Sequence, residues 1–384
     1  MRVLMMSTAV PTHFAPLVPL AWGLRAAGAE VLVTAQPDVM PMIRTAGLVG
    51  APVGELLDGD KHLKSFLTEG RRPLECFTRF PPEEMGFYGR VWMDQARNNV
   101  QAYLELAREW RPQLIVADQV EYASLLIGGV LGIPVVHHRW GVDPISDLAL
   151  RDARVELADV ADELGLDGLP TPAQTLDPCP PSLQLPSTSK GTLIRHVPFN
   201  GFGEPPAWRT RTTDKRRVVV TLGTRTLQLN GVPHVRRVLT ACAGVPDVEV
   251  IATVNPEYWE ALGPLPSEVR LVTPTPLHLF IDSCDAMVHH SGSGTMLTAA
   301  TVGLPQLALP QWSDQFALGE QLEAVGAGIA LDDVARQDDD ALIRDSVQLL
   351  LDKPEYRTAA QAVGREIAAM PSPAEVAADL LRSY

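Results

Sequence analysis

The sequence predicts an α/β protein with two parallel-sheet domains, on three observations. Short apolar, β-prone runs alternate with amphipathic helical stretches, the pattern of parallel strands joined by helical crossovers. The alternation occurs twice, on either side of a proline-studded stretch. At 384 residues the chain is longer than one ordinary core serves and fits two domains.

In the first half the expected strands are Val3 to Met6, Glu30 to Thr34, Leu114 to Ala117 and Pro134 to His137. Helices such as Leu17 to Ala27 and Arg90 to Trp110 lie between them. From about Asp167 to Asp214 the regularity fails, with prolines at Pro170, Pro172, Pro178, Pro180, Pro181, Pro186, Pro198, Pro205 and Pro206. The end of this stretch reads as the interdomain connection. Arg217 to Leu222 then opens a second series through Val248 to Ala252, Val269 to Val272, Met287 to His289 and Gln306 to Leu309. The expected division is a first domain over 1–205, a linker over 206–216, a second domain over 217–370, and a helix in 371–384 that packs back on the first domain. No short tandem repeat is visible.

Composition narrows the function. The formal charge is 32 − 46 = −14, which argues against a broad nucleic-acid surface while leaving room for a local basic pocket. Cys76, Cys179, Cys242 and Cys284 are far apart and form no CxxC, so buried thiols are expected rather than a zinc site or a disulfide framework. The apolar run Val3 to Met6 is too brief for a signal peptide. The uncharged run Tyr122 to His138 contains three glycines and a proline and suits a core helix followed by a strand better than a membrane span. A soluble cytoplasmic protein is expected, with neither nucleic acid nor membrane as partner.

The most informative stretch is Asp285 to Gln315. An apolar strand at Ala286 to His289 leads into His290-Ser291-Gly292-Ser293-Gly294-Thr295, where glycines let the backbone turn and leave its N–H groups bare at the start of a helix. That is a phosphate cradle. It has no P-loop lysine, and GxGxxG occurs nowhere in the chain. An imidazole beside the positive end of the helix can donate to a phosphate oxygen, which suits a diphosphate leaving group. After the buried strand at Gln306 to Leu309 comes Pro310-Gln311-Trp312-Ser313-Asp314-Gln315. A neighbouring carboxylate and amide at the carboxyl end of a parallel strand can bind two adjacent hydroxyls, as a sugar presents.

HHSGSGT followed by GLPQLALPQWSDQ resembles the donor-binding signature of family 1 nucleotide-sugar glycosyltransferases, and more narrowly the actinobacterial enzymes that attach deoxysugars to antibiotic aglycones, typically polyketides. The opening Thr12-His13-Phe14-Ala15-Pro16-Leu17 is similar to the family's first loop and helix, so the resemblance covers nearly the whole chain. It implies the GT-B fold: two Rossmann-like, doubly wound parallel-sheet domains facing an interdomain cleft.

His13 follows the first strand and precedes a helix, so it belongs at the carboxyl end of the first sheet. Histidine titrates near physiological pH, the range for a general base on an acceptor hydroxyl, and the resemblance implies the same role. The bland alternative is a surface-loop histidine. Asp118 ends the strand at Leu114 to Ala117, where it could orient His13 or cap the helical segment Glu121 to Leu131. His290 aligns with the family's phosphate-contacting histidine, while His289 ends a buried strand. His137, His138, Arg139 and Trp140 could line an acceptor pocket. Adjacent histidines on a strand point to opposite faces, so neither His-His pair suits a metal.

The resemblance further implies that Gly223 and Thr224 approach the diphosphate, and that Thr275 and Leu277 serve the nucleobase although Pro274 stands where the family often has tryptophan. The donor set is completed by His290, Ser291, Gly292, Ser293, Gly294 and Thr295 at the diphosphate and by Asp314 and Gln315 at the sugar. Phe14, Phe66, Phe87 and Trp140 are the acceptor candidates, with the segments Leu56 to Met93 and Asp143 to Thr188 as apolar walls. The expected activity is inverting transfer of a deoxysugar from a dTDP-sugar to an aromatic polyketide or related natural-product aglycone, without metal or cofactor. Thymidine and the polyketide rest on the resemblance alone. C-glycosylation on the same scaffold, sugar-nucleotide epimerisation, and a non-catalytic role beside another transferase are the alternatives, and a homodimer is compatible with each.

Overall fold

The computed structural model describes residues 1–77 and 79–384, with the side chains of Asp60, His62 and Thr224 outside the described set. Among the described residues the first sheet has seven parallel strands: β1 (Arg2–Met6), β2 (Glu30–Ala35), β3 (Gly50–Pro52), β4 (Leu114–Asp118), β5 (Val135–His138), β6 (Gln174–Asp177) and β7 (Thr192–Leu193). Their spatial order is β3-β2-β1-β4-β5-β6-β7. The second has six: β8 (Arg216–Thr221), β9 (Val248–Thr253), β10 (Val269–Val272), β11 (Ala286–His289), β12 (Gln306–Ala308) and β13 (Gly328–Ala330), ordered β10-β9-β8-β11-β12-β13. Every pairing is parallel.

Each expected strand is present with its ends moved by at most one residue, and the helix Arg90–Trp110 keeps its expected bounds. The first helix starts one residue late, at Val18, because Ala15–Leu17 forms a tighter 3-10 turn. β6 and β7 correct the view of the proline-rich stretch as irregular: both extend the first sheet, through Val136↔Gln174 and Leu176↔Thr192. Like β3 and β13, they are short and carry no long apolar run, so pairing rather than local pattern makes them strands.

The central strands are covered on both faces, which is why they read as continuous apolar runs. Leu4, Met6, Ile115 and Ala117 meet Ala96, Val100 and Leu104 of the helix Arg90–Trp110. Val3, Met5, Leu114 and Val116 face the other way, toward Leu20 and Leu24 of the helix Val18–Ala26. The C-terminal helix Pro373–Ser383 adds Val376, Ala377 and Leu380 to that second layer, so the end of the chain packs into the first domain. A capping box starts it: Glu375 N donates to Ser372 Oγ at 3.2 Å and Ser372 N donates to Glu375 Oε2 at 2.8 Å. Among the described residues no helix is long and apolar enough to cross a membrane.

In both sheets the strand order reverses beside the first strand of the domain, between β1 and β4 and between β8 and β11. Connections leave such a point in opposite directions and open a crevice at the carboxyl ends of the strands. Both crevices face one cleft of about 610 Å³, lined from both domains and within the usual size of a small-molecule site.

Candidate active site

At the first reversal Met6 pairs with Ala117, so the chain leaves β1 at Ser7-Thr8 beside Asp118. A short turn of helix, Pro11–Phe14, then carries His13 into the cleft. Asp118 is fully buried and His13 mostly so, with 17% of its side chain exposed. Their closest approach, Nδ1 to Oδ2, is 3.5 Å, an ion-pair distance longer than a hydrogen bond. Thr8 fills the gap, with Oγ1 2.7 Å from His13 Nδ1 and 2.6 Å from Asp118 Oδ2. Asp118 also accepts from Thr8 N at 3.2 Å and Val120 N at 2.9 Å. Burial pushes the Asp118 carboxyl up, but His13, Thr8 and the Val120 N–H outweigh it and hold the group below its ordinary value. Its acceptor capacity goes to Thr8 and the Val120 turn, not to the first turn of the helix Ala123–Leu131.

The His13 ring stacks on Trp140 with centroids 3.8 Å apart and meets the edge of Trp92 at 5.4 Å. Trp140 lies two residues after β5, next to Arg139. Arg139 is buried and pairs with Asp143 at 2.9 Å and Asp177 at 3.0 Å, and it donates to Ser189 O at 2.7 Å. His137 and His138 stay behind the wall, one against Ser124 Oγ at 3.3 Å and the other against Arg139 O at 2.6 Å. Burial pushes both down to about 4.

At the second reversal β11 ends at His289 and the helix Ser293–Thr301 begins within four residues. Met296 N donates to Gly292 O, so the N–H groups of Ser293, Gly294 and Thr295 precede the first intrahelical bonds, and all three residues line the cleft. The His290 ring lies between two glycines. A Cβ at Gly292 would sit 2.5 Å from its Nε2, and one at Gly223, where φ is +74°, would sit 2.8 Å from its Cε1. Side chains at either place would displace the ring. Burial pushes His290 down to about 4, so it is neutral at pH 7, and among the described residues its Nδ1 and the Ser293 hydroxyl have no protein partner.

The wall beyond β12 is held by neutral amides. Gln311 Nε2 donates to Gln337 Oε1 at 2.8 Å, Gln337 Nε2 donates to Pro310 O at 2.9 Å and Leu331 O at 2.7 Å, and Gln311 N donates to Gln315 Oε1 at 2.8 Å. This presents Trp312, Ser313 and Asp314 to the cleft, and burial pushes Asp314 up to about 6. A first-domain segment reaches over this wall: Phe77 stacks on Trp312 at 6.2 Å, Arg79 pairs with Glu320 and, at 3.5 Å, with Asp332, and Arg72 pairs with Asp338 at 3.1 Å.

His13, Trp140, Gly223, Thr275, Leu277, His290, Gly292, Ser293, Gly294, Thr295, Asp314 and Gln315 all line the one cleft. Asp118 stands behind His13. Thr224 belongs to the helix Gly223–Thr226, and its side chain lies outside the described residues. Three acceptor candidates and one donor candidate are displaced. Phe14, next to His13 on a helical turn, points the other way into the core with Leu17 and Val33. Phe66 is exposed outside the cleft, and Phe87 packs on Phe80 and Tyr88, leaving Tyr88 as the cleft residue. Ser291 is buried in a left-handed turn at φ 67°, and its N–H donates to His289 Nδ1 at 2.9 Å rather than to the cleft. Thr8 and His196 are not among the expected site residues, and Tyr88 and Trp92 are covered only by the expected wall segment Leu56 to Met93. A lone threonine or an aromatic residue on a long helix carries no local motif, and burial together with the fold places them there.

Comparison with known proteins follows the same lines. The model of the N-terminal domain of erythromycin biosynthesis protein CIII-like proteins matches residues 22–223, and that of their C-terminal domain matches residues 236–382. The chain is 34% identical to an L-demethylnoviosyl transferase of Streptomyces niveus, over 99% of this chain and 97% of that protein. It is 32% identical to a 3-alpha-mycarosylerythronolide B desosaminyl transferase of Saccharopolyspora erythraea, over 98% and 96% of the two chains. A spinosyn rhamnosyltransferase, solved with thymidine diphosphate and with spinosyn aglycone, superposes with a TM-score of 0.88 at 36% identity, over 100% of this chain and 99% of that one.

Proposed function

The chain belongs to the erythromycin biosynthesis protein CIII-like family of GT-B glycosyltransferases, which attach deoxysugars in antibiotic assembly, and on that premise we propose an inverting transferase that moves a deoxysugar from dTDP to a hydroxyl of an aromatic polyketide. One observation carries the reading: His13 of the first domain and the cradle at His290–Thr295 of the second line a single cleft. A base on one wall and a leaving-group site on the other suit in-line displacement at the anomeric carbon.

His13 takes the acceptor proton, the acceptor oxygen bonds to the anomeric carbon, and the bond from that carbon to the diphosphate breaks. Asp118 stabilises the imidazolium that forms. The bare N–H groups of Ser293, Gly294 and Thr295, with a neutral His290 donating one hydrogen bond, stabilise the growing charge on the diphosphate. The reading needs no metal, cofactor or general acid. Gly223 brings backbone close to the phosphates, and Thr275 and Leu277 face the base. Asp314 binds sugar hydroxyls, joined by the amide nitrogen of Gln315. Trp140, whose indole N–H has no protein partner among the described residues, contacts the acceptor beside His13. A thymidine donor is supported by the relative solved with thymidine diphosphate. Reduced Cys76, Cys179, Cys242 and Cys284 suit the cytoplasm.

The test is to incubate the purified chain with dTDP-deoxysugars and aromatic polyketide aglycones, then read the product mass and the anomeric configuration from proton couplings. An inverted O-glycoside is expected. Retention of configuration, or donor turnover without a glycosylated product, overturns the proposal.

A further inference from the structure

We infer that Thr8 is a positioning residue for the base: its hydroxyl links His13 to Asp118 and selects which imidazole nitrogen faces the acceptor. This rests on His13 being the base. Thr8 is buried, and its Oγ1 lies within hydrogen-bond distance of both partners, 2.7 Å from His13 Nδ1 and 2.6 Å from Asp118 Oδ2. The direct separation of 3.5 Å is too long for the carboxylate to orient the ring alone.

The direction of the chain follows from proton inventory. An ionised carboxylate only accepts, so the single hydroxyl proton of Thr8 goes to Oδ2. The oxygen of Thr8 then accepts from His13, which puts the ring proton on Nδ1. A neutral imidazole has one N–H, so Nε2 carries the lone pair. Thr8 N also donates to Oδ2 at 3.2 Å, so two bonds to one oxygen hold the residue in register. When the acceptor O–H breaks, its proton goes to Nε2 and its electron pair forms the bond to the anomeric carbon, while the diphosphate leaves with the electrons of the broken bond. The Nδ1–H to Thr8 to Asp118 chain stays as it was. No proton travels along it.

The tautomer is observable without any substrate, by long-range proton–nitrogen spectra of protein carrying nitrogen-labelled histidine, with His13 identified by its loss in His13→Ala. The wild type and Thr8→Ser should show a neutral ring protonated at Nδ1 and bare at Nε2. Thr8→Val keeps the shape and removes the hydroxyl, and should lower the ratio of the Nδ1–H to the Nε2–H form roughly tenfold, the worth of one buried hydrogen bond. An Nε2–H ring in the wild type overturns the inference. An unchanged tautomer ratio in Thr8→Val does so too, because Asp118 would then reach the ring unaided. Thermal melts check that the variants fold; if Thr8→Val does not, Thr8→Ala and the wild-type spectrum decide. Turnover of His13→Ala tests the base separately, so loss of that reading is distinguishable from loss of the relay.

Discussion

The two strand-order reversals share one wiring and are built from opposite electrostatics. At β1/β4 the crevice is supported by ions: Asp118 behind His13, and Arg139 clamped between Asp143 and Asp177 behind Trp140. At β8/β11 and the neighbouring β12 loop the corresponding supports are neutral, namely glycines around an uncharged His290 and the amides of Gln311, Gln315 and Gln337. The difference follows from what each crevice is proposed to hold. A base that becomes a cation gains from a nearby carboxylate, whereas buried carboxylates behind a diphosphate would repel it. The same topology can therefore host either chemistry, and the loops after the strands decide which.

The largest test of this contrast is His13→Ala. Turnover should fall by about 10²- to 10⁴-fold, the scale of a lost general base, while calorimetry shows dTDP binding unchanged, since no cradle group is touched. Weakened dTDP binding would mean that the two crevices are not separable. Next come the supports. Arg139→Met leaves buried carboxylates unpaired and should cost about 3–5 kcal/mol, whereas Gln337→Leu removes neutral hydrogen bonds and should cost about 1–3 kcal/mol, both read by urea unfolding. Equal losses would erase the ionic-against-neutral distinction.

Asp314→Ala sharpens the picture within the second domain. Affinity for the dTDP-sugar should drop by about tenfold or more, as for a hydrogen bond to a charged group, with dTDP affinity unchanged in the same titration series. Equal losses for both ligands would move Asp314 from the sugar to the diphosphate or the fold. An effect of similar size concerns Glu121, buried near Asp118, where burial and then that neighbouring charge push its carboxyl from 4.5 up to about 8. The folded state therefore holds the proton more tightly than the unfolded one. This contribution is complete below about pH 4.5 and is lost as pH rises through about 8. Glu121→Gln should gain stability relative to wild type on going from pH 6 to pH 9, by about 1–3 kcal/mol in thermal or urea unfolding. A constant difference across that range would show that Glu121 does not stay protonated.

The sequence alone determined the features written in contiguous residues. The nine expected strands were legible because most of them are covered on both faces and so read as largely apolar runs. The cradle was legible because one short segment, His290 to Thr295, supplies the turn, the glycines and the helix start together. Tertiary structure decided what depends on distant segments meeting. β6 exists because β5 offers an edge to pair with, and β7 because β6 does in turn, not because Gln174–Asp177 or Thr192–Leu193 look like strands. Phe14 and His13 are adjacent in sequence but go to the core and to the cleft, since neighbouring side chains on a helical turn diverge by about 100°. The link from His13 through Thr8 to Asp118 spans β1 and β4, more than a hundred residues apart in the chain. A hydrogen bond is a matter of about 3 Å, and only the packed sheets bring a buried threonine that close to both.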